Sequence, residues 1–271
     1  MIRTNPRFPI SAEPGVVDRA VTRLGGIVPI RCPVCGRLSA ATGFSDNLRE
    51  SGLCRHCGAT NRNRQIAFVT ALAATEQSGS PVKSLAALAA RADLVVYNTE
   101  SRGALHEQLH GMPGYLCSEY FGPGHEPGEL VGGVAHQDLT RLSFADASID
   151  YVLSSDVFEH VPDPYRAHAE VHRVVRPGGH HVFTVPFHLD EHLDDVRACI
   201  DDNGAIRFLA EPIYHDDPVR DEGVLVFTIF GLEMLVRLAE VGFSTRMYRL
   251  SSPWHGIVGP NALVFDAVRK P

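Results

Sequence analysis

The chain carries two patterns of hydrophobic and polar residues. Residues 61–77 and 82–92 place apolar side chains three and four positions apart, which predicts two amphipathic helices. From residue 93 onward, short apolar runs alternate with helical patterns. This part predicts strands and helices at 93–99, 103–111, 114–121, 133–140, 148–155, 163–179, 180–187, 230–243, 245–251 and 261–270.

Alternating strands and helices are typical of an α/β fold, with a mostly parallel sheet and helices on both faces. The sequence EQSGSP at residues 76–81 predicts a linker. We therefore expect an N-terminal module at residues 1–80 and an α/β domain at residues 81–271. Within that domain, residues 188–227 form a long insertion between a strand and the following helix.

The composition is that of an ordinary globular protein. Of 271 residues, 44% are hydrophobic and 21% are charged. No apolar run approaches the roughly 20 residues of a membrane-spanning helix, and the sequence MIRTNPRFPISAEPG lacks the apolar core of a signal peptide. We therefore expect a soluble, cytoplasmic protein without a membrane partner.

The net charge of −7 is unevenly distributed. Residues 1–75 hold 10 Lys and Arg against 4 Asp and Glu, a balance of +6, whereas residues 76–271 hold 15 against 28, a balance of −13. Such a split is typical of two modules with different surfaces. The basic module either docks on the acidic domain or faces an anionic partner, and docking is favoured because it needs no third molecule.

Four of the six cysteines form two Cys-x2-Cys pairs, each followed by a glycine. The 18 residues between the pairs are typical of a four-cysteine zinc site. Two disulfides are the alternative, but cytosolic thiols stay reduced. Four thiolates leave no open coordination position, so we expect a structural Zn²⁺ ion. The predicted ligands are Cys32, Cys35, Cys54 and Cys57.

Polar residues cluster where the predicted strands end. In open α/β sheets, ligands bind outside the carboxyl ends of the strands, where the strand order reverses. Acids at several successive ends favour a ligand site, although turns also favour aspartate. The residues at these ends are Thr99, Glu100, Glu119, Tyr120, Asp138, Ser154, Ser155, Asp156 and the segment 186–188.

Residues 138–187 closely resemble the middle of class I S-adenosylmethionine-dependent methyltransferases. The shared signatures are an Asp-Leu pair, a Phe-x-Asp-x-Ser-x-Asp turn, a Glu-His-Val-x-Asp-Pro segment and Arg-Pro-Gly-Gly before the fifth strand. The chain is similar in particular to type 11-like members with an N-terminal zinc ribbon, which occur in cell-surface glycan and natural-product pathways. The resemblance implies a Rossmann-like fold with a seven-stranded sheet, and methyl transfer from S-adenosylmethionine.

The resemblance also implies roles at the cofactor site. Glu119 matches the acid that accepts hydrogen bonds from the ribose hydroxyls. Asp138 and Leu139 match the pair that contacts the adenine. Ser154, Ser155 and Asp156 match the segment beside the methionine moiety and the methyl group.

The chain departs from the family at the glycine-rich loop. The three glycine positions align with Thr99, Ser101 and Gly103, so two glycines are replaced. S-adenosylmethionine has no pyrophosphate, so the loop needs only room for the amino-acid end and a partner for its ammonium group. Glu100 is the predicted partner. The alternative is a methyltransferase-fold protein that binds another ligand, or performs different chemistry, without methyl transfer.

Methyl transfer requires alignment, and a base only where the acceptor must lose a proton. In the family, the segment corresponding to 188–227 caps the active site, and the pair Tyr214 and His215 resembles a recurrent acceptor-facing pair. A structural role for His160, holding a helix in place, is the alternative to a role as base. The candidate catalytic residues are Asp156, His160, His188, Tyr214 and His215, with His192 as a further candidate base.

A second metal site is a further hypothesis for the insertion. His188 and His192 are four residues apart, so on a helix they would share one face, with Asp190 or His215 as a further ligand. Solvated histidines are the alternative.

The insertion holds 11 Asp and Glu against 3 Arg, which argues against a polyanionic acceptor. We therefore expect a methyltransferase that acts on a hydroxyl or amine of a sugar or natural product. A nucleic-acid or protein methyltransferase, with the zinc ribbon as recognition module, is the third hypothesis, and the lack of interleaved aromatic and basic residues counts against it. A homodimer is left open, since the zinc module could bind a neighbouring subunit.

Overall fold

A computed structural model of the protein describes residues 26–215, 223–259 and 262–270. The described chain begins with a three-stranded antiparallel sheet, whose strands are β1 (Val28–Arg31), β2 (Leu38–Thr42) and β3 (Leu53–Cys54). The two Cys-x2-Cys turns follow β1 and β3. In each turn the glycine after the second cysteine has a positive φ, 73° at Gly36 and 70° at Gly58, which explains the choice of glycine.

Two helices follow the sheet, as predicted. They are α1 (Asn61–Ser78) and α2 (Leu85–Ala89). The hydroxyl of Thr60 accepts a hydrogen bond from the backbone of Asn63, whose side chain accepts one from the backbone of Thr60, so a capping box starts α1. Gly79, at φ 66°, ends α1 inside the predicted linker.

The rest of the described chain contains three more α-helices, two 3₁₀-helices (Phe158–His160 and Pro253–His255) and fourteen strands. The α-helices are α3 (Gly103–Leu109), α4 (Pro164–Val174) and α5 (Glu233–Val241). The strands are β4 (Val96–Asn98), β5 (Tyr115–Glu119), β6 (Leu130–Val131), β7 (Val134–His136), β8 (Ile149–Ser155), β9 (Val175–Thr184), β10 (Asp195–Val196), β11 (Ala198–Ile200), β12 (Ile206–Phe208), β13 (Tyr214–His215), β14 (Val224–Leu225), β15 (Thr228–Ile229), β16 (Phe243–Arg249) and β17 (Leu263–Arg269).

Eight strands form one sheet in the order β16-β17-β9-β8-β4-β5-β7-β6. The five central strands β9, β8, β4, β5 and β7 run parallel, while β17 is antiparallel to β9 and β16. This arrangement confirms the predicted Rossmann-like α/β fold, and the two-residue edge strand β6 raises the count from seven to eight. The strand order reverses between β4 and β8, so the ligand crevice of such a sheet lies at their carboxyl ends.

The sheet is covered on both faces. One core packs α1, α2 and α3 against alternate strand residues such as Tyr151 and Leu153, and it also contains Cys32 and Cys54 of the N-terminal module. The other core packs α4 and α5 against the opposite face, through residues such as Val152. The division at residue 80 stays a prediction, with α1 packed on the sheet of the larger unit. Among the described residues, no helix has the length and apolar character needed to cross a membrane.

The sequence predicts a helix through residue 179, but α4 ends at Val174 and the segment RPGG belongs to β9. Pro177 disfavours helical geometry at the residue before it. Gly178 has a φ of 77°, and a Cβ on Gly179 would lie 2.9 Å from the carbonyl oxygen of Asp150. The pairing of β9 with β8 shifts register at this point, so residues 176–179 bulge opposite Asp150.

The insertion contains two short antiparallel strand pairs, β11 with β12 and β13 with β14, and its strand β10 pairs with β15, which directly follows the insertion. Residues 188–194 form turns and bends. The prediction that His188 and His192 share a helical face is therefore wrong. The backbone N–H of Gly231 donates to the carboxylate of Asp194, and the backbone N–H of Asp194 donates to the carboxylate of Glu233. These bonds fix the segment to the start of α5 instead of letting it form its own helix.

Candidate active site

The four predicted zinc ligands come together. The sulfurs of Cys32, Cys35, Cys54 and Cys57 all lie within 4.8 Å of one another. The Sγ atoms of Cys32 and Cys57 are 3.7 Å apart. Zinc–sulfur bonds of about 2.3 Å in a tetrahedron place sulfurs about 3.8 Å apart. The cluster is thus compatible with a closed four-thiolate zinc site.

Arg64 connects this cluster to the rest of the protein. Its side chain is fully buried, and its guanidinium donates to the carbonyl oxygens of Gly52 at 2.7 Å, Ala59 at 2.6 Å and Gly256 at 2.8 Å. Gly52 and Ala59 flank the second cysteine pair, whereas Gly256 lies in the turn before β17. Arg64 therefore hydrogen-bonds the metal module to the main sheet.

Two more arginines of the basic half pair with the end of β8. Arg62 contacts one carboxylate oxygen of Asp156 at 2.7 Å, and Arg49 contacts the other. Burial alone would raise the pKa of Asp156, but the two guanidinium groups hold it below its ordinary value. The structure thus pairs two arginines of the basic half with an acid at the end of a strand of the main sheet, as the docking alternative requires. Asp156, predicted as a candidate base, is ionised and engaged in two ion pairs.

Replacement of Asp156 by asparagine is expected to lower the free energy of unfolding by about 3 kcal/mol, because two partly buried arginines lose their counter-ion. Asparagine tolerates the φ of 53° at this position, so the change isolates the charge. Urea unfolding measures the effect. The exposed turn residue Asp202 provides the control: Asp202→Asn is expected to be neutral, and equal stability of both variants would contradict the docking role.

Unsatisfied polar groups lie at the switch point between β4 and β8. The hydroxyls of Thr99 and Ser155 are buried and have no hydrogen-bond partner within the described part of the chain. Both residues stand at the carboxyl ends of adjacent parallel strands, since Asn98 pairs with Leu153 and the backbone N–H of Thr99 donates to the carbonyl of Leu153. Buried polar groups normally have partners, so these two hydroxyls indicate a ligand.

Glu100 follows Thr99 and faces the same crevice. Burial raises the pKa of its carboxyl to about 7, against the opposing effect of Arg62 and with support from Glu119. The side-chain amide of Asn98 donates to the carbonyl of Glu100 at 2.8 Å, which fixes the loop. The backbone of Glu100 is therefore fixed, and its buried carboxyl is not fully neutralised by a neighbouring cation. A carboxyl that pairs with an ammonium group needs both properties.

Glu119 ends β5 and organises the loop that has lost its glycines. Its Oε1 accepts hydrogen bonds from the backbone N–H of Ser101 at 2.9 Å and from the Ser101 hydroxyl at 2.8 Å. Both bonds end on one oxygen, which leaves Oε2 out of this contact. Gly103, at φ 81°, retains the conformation that needs glycine, and a Cβ there would meet no described atom within 4 Å.

Of the remaining predicted cofactor residues, Asp138, Leu139 and Tyr120 lie near the strand ends, whereas Ser154 lies in the core. Oδ1 of Asp138 accepts from the backbone and hydroxyl of Thr140 at 2.8 and 2.7 Å, which fixes the turn beside the buried Leu139. Tyr120 is half exposed, with its ring 5.3 Å from that of His136. Ser154, in contrast, is hydrogen-bonded to His181 at 3.0 Å inside the core.

The structure brings His160 and His215 together but leaves His188 apart. The rings of His160 and His215 lie 5.1 Å apart, edge to face. Nδ1 of His160 is 2.9 Å from the carbonyl oxygen of Leu225 and must donate to it, so Nε2 is the basic nitrogen of the neutral ring. Tyr214 and His188 are exposed.

Sequence reasoning missed the residue between these histidines and Asp156. Glu159 is fully buried, and Oε1 lies 3.7 Å from Nε2 of His160 and 3.7 Å from Nδ1 of His215. Burial, with nearby Asp156, raises the pKa of Glu159 well above its usual range. The Glu-His-Val motif contained the signal, but only its histidine was considered.

Comparison with known proteins covers part of this site. Residues 123–183 match a family described as a methyltransferase domain. The matched segment comprises 61 of the 271 residues. The match confirms the resemblance, and the methyltransferase segment includes Asp138, Ser155 and Glu159. Thr99, Glu100 and Glu119 lie before it.

Curated relatives support the same assignment over a limited length. An uncharacterized methyltransferase from Mycobacterium sp. (strain KMS) is 43% identical over 84 residues, which are 26% of this chain and 33% of that protein. Another from Mycobacterium avium (strain 104) is 41% identical over 86 residues, 26% and 34% of the two chains. The chain thus spans about a third of the length of these relatives.

Solved structures with similarity include an S-adenosylmethionine-dependent methyltransferase from Mesorhizobium loti, with a TM-score of 0.41 and 18% identity, covering 65% of this chain and 91% of that one. A second, from Methanosarcina mazei, has a TM-score of 0.37 and 17% identity, covering 66% and 94%. Because both TM-scores are low, the fold assignment rests on the strand order of this chain.

Proposed function

We propose that this protein transfers a methyl group from S-adenosylmethionine to a hydroxyl or amine of a small molecule. The observation that carries the proposal is the set of polar groups at the ends of β4 and β8, where the hydroxyls of Thr99 and Ser155 are buried without a partner among the described residues and Glu100 follows Thr99 with a raised pKa. They lie at the carboxyl ends of the strands, where this fold class binds ligands, and next to the methyltransferase segment.

Each acid at the crevice fits one part of the cofactor. Glu119 accepts hydrogen bonds from the ribose hydroxyls through Oε2, while Ser101 holds Oε1. Glu100 pairs with the ammonium group, and Asp138 with Leu139 borders the adenine. When bound, S-adenosylmethionine supplies an electrophilic methyl group on a sulfonium; the protein supplies alignment.

The acceptor lies on the side of the insertion, beside Glu159, His160 and His215. The insertion is held over this point by hydrogen bonds from the backbone of Phe227 to the carbonyl of Glu159, and from His160 to the carbonyl of Leu225. Its acidic composition disfavours a polyanion. Arg49 and Arg62 are paired with Asp156, so the positive charge of these two arginines is neutralised within the protein and does not serve phosphate binding. The cysteine cluster binds a structural zinc ion.

The proposal is tested by the fate of a labelled methyl group. The protein is incubated with methyl-labelled S-adenosylmethionine and a cell extract separated into small molecules, nucleic acid and protein. We expect label in the small-molecule fraction, with Glu119→Ala inactive and the exposed Glu126→Ala active. Label in nucleic acid or protein would contradict the acceptor class, and no transfer to any fraction would contradict methyl transfer.

Cofactor affinity is expected to rise as the pH increases through about 7, the pKa of Glu100, and to level off above it. Because burial raises the pKa of Glu100 to about 7, its carboxyl is neutral at lower pH and cannot pair with an ammonium group. Each pH unit below the pKa weakens binding by up to about tenfold. In the protein without ligand, the free energy of unfolding depends on pH in the opposite direction. Glu100 contributes stability that is complete below its unfolded pKa of about 4.3, and this stability is lost as pH rises through about 7. Calorimetric titration at several pH values measures the binding. Glu100→Gln is expected to bind weakly without this slope, and an unchanged slope in that variant would exclude Glu100 as its source.

A further inference from the structure

We propose that Glu159, His160 and His215 form a second metal site, which takes a divalent transition-metal ion and is distinct from the cysteine cluster. The ligand atoms of the three side chains all lie within 4.8 Å of one another. Two imidazoles and one carboxylate are a ligand set that binds zinc or ferrous iron with open positions.

The carboxylate of Glu159 is the independent observation that indicates a cation. The side chain is fully buried, and neither oxygen has a hydrogen-bond partner in the described ranges. Burying a carboxylate without partners is strongly unfavourable. Asp156, the neighbouring acid, is satisfied by Arg49 and Arg62, but these arginines do not hydrogen-bond Glu159.

The histidines are oriented as ligands. His160 donates from Nδ1 to the carbonyl of Leu225, which directs the basic Nε2 toward Glu159. Metal-binding histidines commonly donate their other ring nitrogen to a carbonyl in this way. His215 presents Nδ1 to the same carboxylate oxygen from strand β13 of the insertion.

Small adjustments complete the site. Ligand atoms about 2.1 Å from a metal are about 3.0 to 3.4 Å apart, against 3.7 Å between Glu159 and each histidine nitrogen. The backbone of Glu159 is fixed by the N–H of Phe227 at 2.7 Å, whereas His215 is partly exposed and can rotate. The ion would join the insertion to the end of β8.

Such an ion has a role that rests on the proposed function. Three protein ligands leave a position for an acceptor hydroxyl, whose pKa a Lewis acid lowers. The substrate class is then an alcohol that would bind the ion through its reacting oxygen and release its proton to water. That oxygen would form the new bond to the methyl carbon as the carbon–sulfur bond of the sulfonium breaks, and the demethylated cofactor would leave.

The test uses the full chain with its cysteine site loaded with zinc and its weaker metals removed by EDTA. Cobalt(II) is then titrated and followed by visible absorption, with zinc and cobalt content determined by mass spectrometry. We expect one further cobalt per chain, with the weak bands of nitrogen and oxygen ligands and without the intense bands of thiolates. His215→Ala is expected to weaken this binding at least about tenfold. Loss of a residue that only hydrogen-bonds a metal ligand already has an effect of this size, and loss of a ligand itself should not have a smaller one.

His192→Ala is the matched control, since it removes another histidine of the insertion and is expected to retain the cobalt. Because His215 is partly exposed, its variant should keep its zinc and its thermal unfolding midpoint. No second ion in the wild type, or unchanged binding in His215→Ala, would overturn the proposal, as would loss of binding only in His192→Ala. The measurement needs no S-adenosylmethionine, so its outcome is independent of whether methyl transfer is found.

Discussion

Replacement of Cys54 by serine is expected to release the zinc ion and unfold the N-terminal module. Structural zinc contributes apparent free energies of about 10 to 16 kcal/mol in small zinc modules. Without the ion, the two Cys-x2-Cys turns are left with the short strands β1 to β3 and the hydrogen bonds of Arg64. Cys32 and Cys54 belong to the same core as the sheet residues Tyr151 and Leu153, so the damage extends beyond the module. We expect the midpoint of thermal unfolding to fall by at least about 10 °C.

Calorimetry and zinc content measure this effect together. Cys199→Ser serves as the control, because Cys199 lies in the insertion, outside the metal cluster. It should keep one zinc per chain and an unchanged midpoint. A Cys54→Ser protein with full zinc content, or with the stability of the control, would show that the four sulfurs do not hold a structural ion.

Replacement of Arg64 by methionine is expected to cost about 4 kcal/mol of unfolding free energy, because three buried carbonyl groups lose charged donors at once. Methionine keeps much of the volume, so the loss is polar and not a cavity. Lysine at this position restores the charge but has no planar fork to reach Gly52, Ala59 and Gly256 together, so Arg64→Lys should recover only part of the stability.

Trp254, the only tryptophan of the chain, reports on this contact. It lies in the turn Pro253–His255, next to Gly256, which accepts from Arg64. Urea unfolding followed by its fluorescence gives the free energy. Arg55→Met, at an exposed position of the same module, is the control. An effect of Arg64→Met no larger than that of Arg55→Met would show that Arg64 does not join the module to the sheet.

Features that depend on local sequence were predictable. The cysteine spacing predicted a cluster that the structure contains, and the alternation of apolar runs predicted the parallel sheet and its ligand end. Glu119 and Asp138 stand at strand ends, where sequence position alone places them at the crevice. Their roles toward a cofactor remain proposals.

Contacts between distant residues were not predictable. Arg49 and Asp156 are 107 residues apart, and only the folded chain shows that they pair. The contacts of Glu159 and His160 with the insertion are likewise long-range, since the backbone of Glu159 bonds to Phe227 and the ring of His160 bonds to Leu225. The different environments of Ser154, which bonds to His181 in the core, and Ser155, whose hydroxyl has no partner among the described residues, were predictable. Adjacent strand residues face opposite sides of a sheet.

The spacing of His188 and His192 was misleading because four residues bring side chains together only on a helix. The insertion instead consists of turns and two- or three-residue strands, which tertiary contacts stabilise. His215 reaches His160 from a different strand of that insertion, a proximity that no periodicity in the sequence encodes.

The central claim is that a crevice with acids in place of glycines still binds S-adenosylmethionine. Calorimetric titration of the zinc-loaded protein with S-adenosylmethionine and with its demethylated product tests it most directly. We expect micromolar binding of both, weakened at least about tenfold by Glu100→Ala and by Glu119→Ala, each of which removes a charged hydrogen-bond acceptor worth about 1.5 to 3 kcal/mol. Glu126→Ala should bind like the wild type. Absence of binding to the folded, metal-loaded wild type, or equal binding by all variants, would contradict the account.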